Sequence, residues 1–160
     1  MLFAVLTVSD RCSQGLMIDT AGPAVVDLLR QYWPGVRIDT AIAPDDEDTI
    51  TARLLEWTSV GAALILTVGG TGLSPRDRTP EATLHVIERY IPGIPEAMRV
   101  LGAERNPYAW LSRGIAGLRG RTVVVNLPGS QRGAEESLTA IHVLLRHALD
   151  VAAGVQTHPQ

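Results

Sequence analysis

The segment that most constrains the fold is a near-continuous apolar run at residues 62–68. Apolar side chains at nearly every position, rather than at alternate positions, are typical of a strand that is covered on both faces. Such strands occur mainly in parallel sheets, because the crossover connections between parallel strands place helices against the sheet. This run therefore predicts a central strand that is covered on both faces.

Strand and helix patterns alternate along the rest of the chain. Strands are predicted at residues 2–8, 36–42, 62–68 and 122–127. Apolar spacing of three and four predicts helices at residues 25–32, 50–57, 79–90, 94–105 and 135–153, whereas 110–118 favours an extended segment. We therefore predict one three-layer α/β/α domain over residues 1–160, built on a mostly parallel, doubly wound sheet, with a flexible tail at 153–160.

Charge and cysteine content exclude several classes of function. The chain has 14 basic and 17 acidic residues and a net charge of −3, which argues against a nucleic-acid partner bound through a basic face. All 14 basic residues are Arg, so a P-loop lysine and a Schiff-base lysine are both excluded. The single cysteine, Cys12, excludes an intrachain disulfide and a multi-cysteine metal site.

The chain carries no pattern typical of a membrane or export segment. The apolar stretch at residues 60–68 is far shorter than the ~20 residues that a membrane span requires. No basic segment precedes residues 2–8, as it would in a signal peptide. We therefore expect a cytoplasmic protein with no membrane partner.

Four predicted strands end in conspicuous polar or Gly/Pro segments. Parallel strands bring their carboxyl ends to one edge of the sheet, where ligands of doubly wound folds bind. The candidate binding residues at these ends are Ser9, Asp10, Gly69, Gly70, Thr71, Gly72, Pro128, Gly129 and Ser130. An alternative is that each is an ordinary turn residue. Four such ends together, one of them unusually long, favour a site.

The long connection is residues 69–79, called the glycine loop below. Most strand-to-helix loops have two to six residues, so this one is longer than packing requires. Its glycines let backbone N–H groups approach an anion, and Arg76 and Arg78 add positive charge suited to phosphate. We assign Arg11, Arg76 and Arg78 to this site first, and the other eleven arginines to coding composition.

Carboxylates at the same edge predict a bound cation. Asp77 lies between the two arginines, and Asp45 follows the second strand. Carboxylates beside a phosphate cradle make sense where Mg²⁺ of a nucleoside triphosphate bridges them, so both are candidate metal ligands and catalytic residues. The alternatives are that Asp77 pairs with a neighbouring arginine and that Asp46 or Thr49 caps the second predicted helix.

These residues together resemble one family. The segments TVSDR (7–11), DTAGP (19–23), PDD (44–46), TVGGTG (67–72), RDRTPEA (76–82) and NLPGS (126–130) occur in that order. They resemble the molybdopterin adenylyltransferases of the MogA/MoaB type, the group that includes the G domain of gephyrin. The likeness covers about residues 3–150. The combination of GGTG, RDxTPEA and NLPGS in one chain of 160 residues is specific to this family.

The resemblance implies a three-layer domain that assembles as a homotrimer. It implies transfer of AMP from Mg-ATP to the terminal phosphate of molybdopterin, with release of pyrophosphate, and a separate downstream enzyme that inserts molybdenum. The two aspartates essential in the family correspond to Asp45 and Asp77. The phosphate-binding loops correspond to residues 69–72 and 128–130, and Ser9 and Asp10 to the motif near the pterin.

Two departures from the family pattern leave an alternative open. Gln131 stands where the family usually has proline after PGS, and Arg132 stands where a lysine is common. A non-catalytic molybdopterin carrier or scaffold of the same fold would bind pterin without turning over ATP. A structural oligomeric domain and an unrelated Mg-dependent nucleotide hydrolase are the other hypotheses. Retention of both Asp45 and Asp77 favours the enzyme.

Overall fold

A six-stranded sheet forms the middle layer of the molecule, which this computed structural model describes over residues 1–155. Its strands are β1 (Leu2–Val8), β2 (Arg37–Ala43), β3 (Leu64–Val68), β4 (Arg89–Tyr90), β5 (Ala116–Arg119) and β6 (Thr122–Leu127). The spatial order is β2-β1-β3-β6-β5-β4. The β1–β2, β1–β3 and β3–β6 pairs are parallel, and β4–β5 and β5–β6 are antiparallel. The predicted mostly parallel α/β sheet is confirmed.

Helices cover both faces of this sheet. They are α1 (Asp10–Ser13), α2 (Ala21–Tyr32), α3 (Glu47–Ser59), α4 (Thr79–Leu84), α5 (Gly93–Ala103) and α6 (Gln131–Ala152), with a short 3₁₀ helix at Pro107–Leu111. Successive side chains of a strand point to opposite faces. Val5 therefore packs in the core under α2, α5 and α6, and Leu6 packs in the core under α3 and α4. The two cores lie between the sheet and the helices on either side of it, so the three predicted layers are present.

The apolar run that predicted the fold lies in the middle of the sheet. All five residues of β3 are buried, and the strand pairs with β1 on one side and β6 on the other. The strand begins at Leu64, two residues later than predicted, although Ala62 is also buried. The central position explains why the run has no polar face.

The helix predicted at residues 79–90 is wrong beyond Leu84. Helix α4 ends there, and the chain turns to form the edge strand β4. The N–H of Glu88 donates to the Leu118 carbonyl at 2.7 Å, and that of Ile91 donates to the Ala116 carbonyl at 2.8 Å. A partner strand thus satisfies these backbone groups, and a helical pattern read from the segment alone does not reveal that partner.

Two other boundaries differ from the prediction. The segment 110–118 is extended only in part, because the 3₁₀ helix continues to Leu111. Asn106 caps the first turn of this helix, and its Oδ1 accepts from the Tyr108 N–H at 3.1 Å. Helix α6 begins at Gln131, four residues earlier than predicted. Ser130 Oγ accepts from the Gly133 N–H at 3.1 Å and so caps it.

The C-terminal end of the chain is described only in part. Residues 156–160 of the tail predicted at 153–160 lie outside the described residues. In the part that is described, every helix is too short or too polar to cross a membrane.

Candidate functional site

The ends of β1 and β2 are joined by two reciprocal hydrogen bonds. The Asp10 N–H donates to Asp45 Oδ2 at 3.0 Å, and the Asp45 N–H donates to Asp10 Oδ1 at 3.0 Å. Each carboxylate therefore fixes the backbone that carries the other. Ser9 lies beside them, and its hydroxyl caps α1 by accepting from the Cys12 N–H. The predicted convergence of these strand ends is confirmed.

The ends of β1, β3 and β6 meet through glycine backbone. Gly69 has φ of +109°, and a Cβ placed on it would lie 2.4 Å from the Val8 carbonyl oxygen. A Cβ on Gly129 would lie 3.1 Å from the Gly69 Cα. Gly69 therefore needs glycine, and Gly129 leaves little room for a side chain because the chains approach so closely. This contact brings the glycine loop against the turn at residues 128–130, called the PGS turn below.

In the glycine loop, three carbonyl groups accept hydrogen bonds, whereas the N–H groups of residues 70–73 remain unpaired within the part of the chain that the structure describes. The carbonyl of Gly70 accepts from the Thr79 N–H at 3.1 Å, that of Thr71 from the Arg113 N–H at 2.9 Å, and that of Gly72 from Arg113 Nε at 2.8 Å. The N–H groups of residues 70–73 donate to no acceptor within residues 1–155. Consecutive unpaired N–H groups form an anion-binding concavity, so the loop is suited to phosphate.

The arginines of the loop are paired with carboxylates other than Asp77. Arg76 Nε donates to Asp10 Oδ2 at 3.0 Å, and Arg78 Nε donates to Glu47 Oε2 at 2.9 Å. Asp77 instead accepts from the Ser74 N–H at 2.9 Å and lies beside Gly72. Pairing of Asp77 with a neighbouring arginine is therefore not what the structure shows. The phosphate-binding role of Arg76 stays a prediction.

The helix-capping alternative is confirmed for Asp46. Its carboxylate accepts from the Thr49 N–H at 2.9 Å and so caps α3. The hydrogen bonds from Thr49 hold the pKa of Asp46 below its usual value. Asp46 thus serves the helix, whereas Asp45 faces the glycine loop.

Negative charge is concentrated around Asp45. Partial burial raises the pKa of Asp45, and the charges of Asp10 and Asp77 raise it further, against the opposing effect of the hydrogen bond from the Asp10 backbone. The pKa of Asp10 is lowered, chiefly by the hydrogen bond from Arg76. A bound cation would relieve the repulsion among these carboxylates.

The oxygen atoms near Asp45 suit a magnesium ion. The buried Thr79 hydroxyl has no hydrogen-bond partner. A Cβ on Gly70 would lie 2.2 Å from Thr79 Oγ1 and 3.2 Å from Asp45 Oδ1, so glycine keeps this space open. No group of three or more His, Cys, Asp or Glu within residues 1–155 is arranged to hold a metal alone. Magnesium is usually held by one or two carboxylates together with substrate phosphates, and Asp45 and Asp77 could provide those carboxylates.

A cavity of about 880 Å³ adjoins the loop. It is lined by Gly70, Thr71, Gly72 and Asp77 on one side and by the PGS turn on another. Helix α5, the 3₁₀ helix and α6 complete its walls. Ser9, Asp10 and Asp45 do not line this cavity and lie on the β1–β2 side of the loop. The predicted residues therefore form two neighbouring groups that meet at Gly70.

Sequence reasoning missed Arg113 and Asn126. Arg113 is among the eleven arginines that the sequence assigns to coding composition, but it binds the glycine loop through its backbone and its guanidinium. Asn126 is fully buried and donates to the hydroxyls of Thr67 and Thr83 at 2.9 Å each. Asn126 lies in the NLPGS motif, and a polar residue in an otherwise apolar strand could have indicated a buried network.

Comparisons with known proteins agree with this geometry. Residues 4–147 match the model of the family described as a probable molybdopterin binding domain. The molybdenum cofactor synthesis protein cinnamon of Drosophila melanogaster is 37% identical over 164 residues, which cover 99% of this chain and 27% of that protein. The chain thus spans about a quarter of that relative.

Two further proteins match over most of their length. The molybdopterin adenylyltransferase of Helicobacter pylori is 35% identical over 152 residues, covering 94% of this chain and 86% of that protein. The crystal structure of the molybdopterin biosynthesis enzyme MoaB from Thermus thermophilus is 44% identical, with a TM-score of 0.88 and 96% of each chain covered. The chain belongs to the MogA/MoaB family of molybdopterin-binding domains of molybdenum cofactor biosynthesis.

Proposed function

We propose that this protein is a molybdopterin adenylyltransferase that transfers AMP from Mg-ATP to the terminal phosphate of molybdopterin. The observation that carries the proposal is the glycine loop, whose unpaired amides at residues 70–73 lie beside Asp77 and close to Asp45. An anion cradle beside carboxylates is the arrangement expected for a metal-bound triphosphate. Similarity to the molybdopterin adenylyltransferase of Helicobacter pylori supports the same reaction.

The reaction is a substitution at the α-phosphorus of ATP. An oxygen of the molybdopterin phosphate forms the new P–O bond, and the bond from the α-phosphorus to the bridging oxygen breaks, releasing pyrophosphate. The attacking phosphate is already ionised at neutral pH, so the chain needs no general base. Catalysis then depends on positioning the two phosphates and on balancing their charge.

The residues of the chain divide these tasks. The amides of residues 70–73 bind phosphate oxygens, and the PGS turn closes the cavity on the other side. Arg76 donates to Asp10 through Nε and Nη2, which leaves Nη1 to meet a phosphate. Asp45 and Asp77 would hold Mg²⁺, which supplies neutralisation of charge on the α-phosphate and the departing pyrophosphate.

The proposal is tested by mixing the purified protein with molybdopterin and Mg-ATP. We expect pyrophosphate and adenylylated molybdopterin to appear in equal amounts. Omission of molybdopterin is the control and should abolish pyrophosphate release. Pterin binding without ATP turnover would instead identify a carrier, and ATP loss without pterin would identify a nucleotide hydrolase. Either result would contradict the proposal.

The departure at Gln131 does not disturb the helix that follows the PGS turn. Helix α6 begins at Gln131 itself, with Ser130 as its cap. The Gln131 side chain donates to Glu135 Oε1 at 3.2 Å, one turn further along the helix. The carrier hypothesis therefore gains no support from this position and is kept only as an outcome of the assay.

We also propose that the protein assembles as a homotrimer, as the resemblance implies. Exposed apolar side chains on α5, the 3₁₀ helix and α6, among them Val100, Trp110 and Val143, support association with further copies. We expect sedimentation equilibrium to give about three times the chain mass of 17.2 kDa. A mass of one chain at micromolar concentration would contradict this.

A further inference from the structure

One arginine outside the recognised motifs binds the main-chain carbonyls of the glycine loop. Arg113 lies in the extended connection between the 3₁₀ helix and β5, distant in sequence from the loop. Its backbone N–H donates to the Thr71 carbonyl at 2.9 Å. Its guanidinium donates through Nε to the Gly72 carbonyl at 2.8 Å and through Nη2 to the Asp77 carbonyl at 2.7 Å. One residue thus binds three carbonyls of the same loop.

The guanidinium is itself held by a carboxylate of α4. Arg113 Nη1 donates to Glu81 Oε1, and both side chains are about two-thirds buried or more, with exposed fractions of 35% and 26%. Burial raises the pKa of Glu81, but the hydrogen bond from Arg113, a backbone hydrogen bond and the charges of Arg113 and Arg78 together leave it lowered. The ion pair therefore persists at neutral pH and fixes the direction of the guanidinium.

We propose that Arg113 is a positioning residue for phosphate binding, because it holds the carbonyls of the glycine loop away from the cavity so that the amides face the ligand. Glycine has no Cβ, so the two peptide units that flank Gly72, which carry the Thr71 and Gly72 carbonyls, can rotate at little steric cost. A rotated unit would point a carbonyl oxygen at the phosphate and replace an attraction by a repulsion. The bonds from Arg113 to the Thr71 and Gly72 carbonyls oppose that rotation, and the bond to the Asp77 carbonyl fixes the far end of the loop. Replacing the side chain removes the bonds to Gly72 and Asp77 and leaves the main-chain bond to Thr71.

The inference rests on the proposed function only in taking a phosphate group as the ligand. The phosphate could belong to ATP or to molybdopterin, and inorganic pyrophosphate and Mg-ATP are suitable probes. If Arg113 were merely a structural residue, its replacement would lower the melting temperature and leave phosphate affinity unchanged in the folded protein. If it bound phosphate directly through its charge, lysine would retain much of the affinity.

The experiment measures binding of Mg-ATP and of pyrophosphate by calorimetry for wild type, Arg113→Ala and Arg113→Lys, well below each melting temperature. We expect both variants to bind both probes about 30-fold more weakly, because charge-assisted hydrogen bonds to the loop are lost and lysine cannot reach all these acceptors. Addition of guanidinium chloride at millimolar concentration should restore much of the affinity of Arg113→Ala. Sodium chloride at equal ionic strength should not.

A matched control is Arg119→Ala. Arg119 also donates to a main-chain carbonyl, that of Val86 at 3.0 Å, and lies near a carboxylate, Glu88 at 3.9 Å, but it contacts β4 and its approach rather than the glycine loop. We expect wild-type phosphate affinity for this variant. If Arg113→Ala does not fold, Arg113→Lys decides alone, and Glu81→Gln, which keeps the side-chain shape, is expected to weaken binding severalfold.

Binding by folded Arg113→Lys and Arg113→Ala within twofold of wild type would overturn the inference. Failure of the proposed function would give a different pattern of results from failure of this inference. The wild-type protein would then bind phosphate probes and lose that affinity on Arg113 replacement, but it would form no adenylylated molybdopterin. In that case the positioning role of Arg113 would stand for whatever phosphate ligand the cavity takes.

Discussion

Replacing Asp45 or Asp77 by asparagine is expected to reduce adenylyl transfer by about 100-fold or more, since each change removes a carboxylate that would hold the magnesium ion which neutralises the reacting phosphates. The measurement is the initial rate of pyrophosphate release at saturating Mg-ATP. We expect the loss to appear in kcat. Higher magnesium concentration should recover part of the rate if the remaining carboxylate still binds the ion.

Asp45→Asn is expected to leave the fold intact. In Asp45→Asn the new amide would keep a side-chain carbonyl that can accept from the Asp10 N–H, as Asp45 Oδ2 does at 3.0 Å. Because burial and like charges raise the pKa of Asp45, its ionised form is disfavoured in the folded state, and this penalty applies at any pH above that raised pKa. Asp45→Asn should therefore be at least as stable as wild type at neutral pH.

Asp48→Asn is the matched control for both substitutions. Asp48 lies in the first turn of α3, close in sequence to Asp45, but its side chain is exposed. The change in net charge is identical, so a general electrostatic effect would appear in all three variants. Wild-type activity for both Asp45→Asn and Asp77→Asn would refute the roles proposed for them.

Replacing Asn126 by alanine is expected to lower the free energy of unfolding by about 3 kcal/mol, because it leaves several buried polar groups without partners. Asn126 Nδ2 donates to Thr67 Oγ1 and Thr83 Oγ1 at 2.9 Å each, and its Oδ1 accepts from the Ile115 N–H at 3.2 Å. These bonds join β3, β6, α4 and the strand connection that carries Arg113. Urea unfolding at equilibrium measures the effect.

The comparison for this prediction is Asn106→Ala. Asn106 is exposed and caps the 3₁₀ helix through one bond to the Tyr108 N–H at 3.1 Å. Loss of an exposed cap of this kind typically lowers stability by about 1 kcal/mol. If Asn126→Ala were no more destabilising than Asn106→Ala, the buried network would not contribute as described.

The central strands could be predicted from sequence, whereas the edge hairpin could not. Strands β1, β3 and β6 are apolar at most positions because both of their faces are covered, and this pattern needs no knowledge of their partners. The two residues of β4 are both exposed, and they form a strand only because β5 lies beside them. Pairing with β5 therefore makes residues 89–90 a strand, although the spacing of apolar residues in this segment predicts a helix.

The candidate site shows the same division. The four strand ends could be located because glycine, proline and acidic residues follow apolar runs. The pairing of Arg76 with Asp10 joins residues 66 positions apart, and nothing in either segment indicates it. Arg113 binds chiefly main-chain carbonyls, which every residue has, so its partners leave no trace in the sequence. Contacts of this kind appear only when the fold is known.

The unpaired amides of the glycine loop have a consequence for how this protein tolerates change. A cradle made of main-chain N–H groups has no side chain whose replacement deletes it, so drift at exposed positions such as Leu73 leaves its chemistry in place. Its weak points are instead the few residues that set the course of the backbone, Gly69, Gly70 and Arg113. Directed variation of substrate preference therefore has most freedom in the side chains that line the helical walls of the cavity.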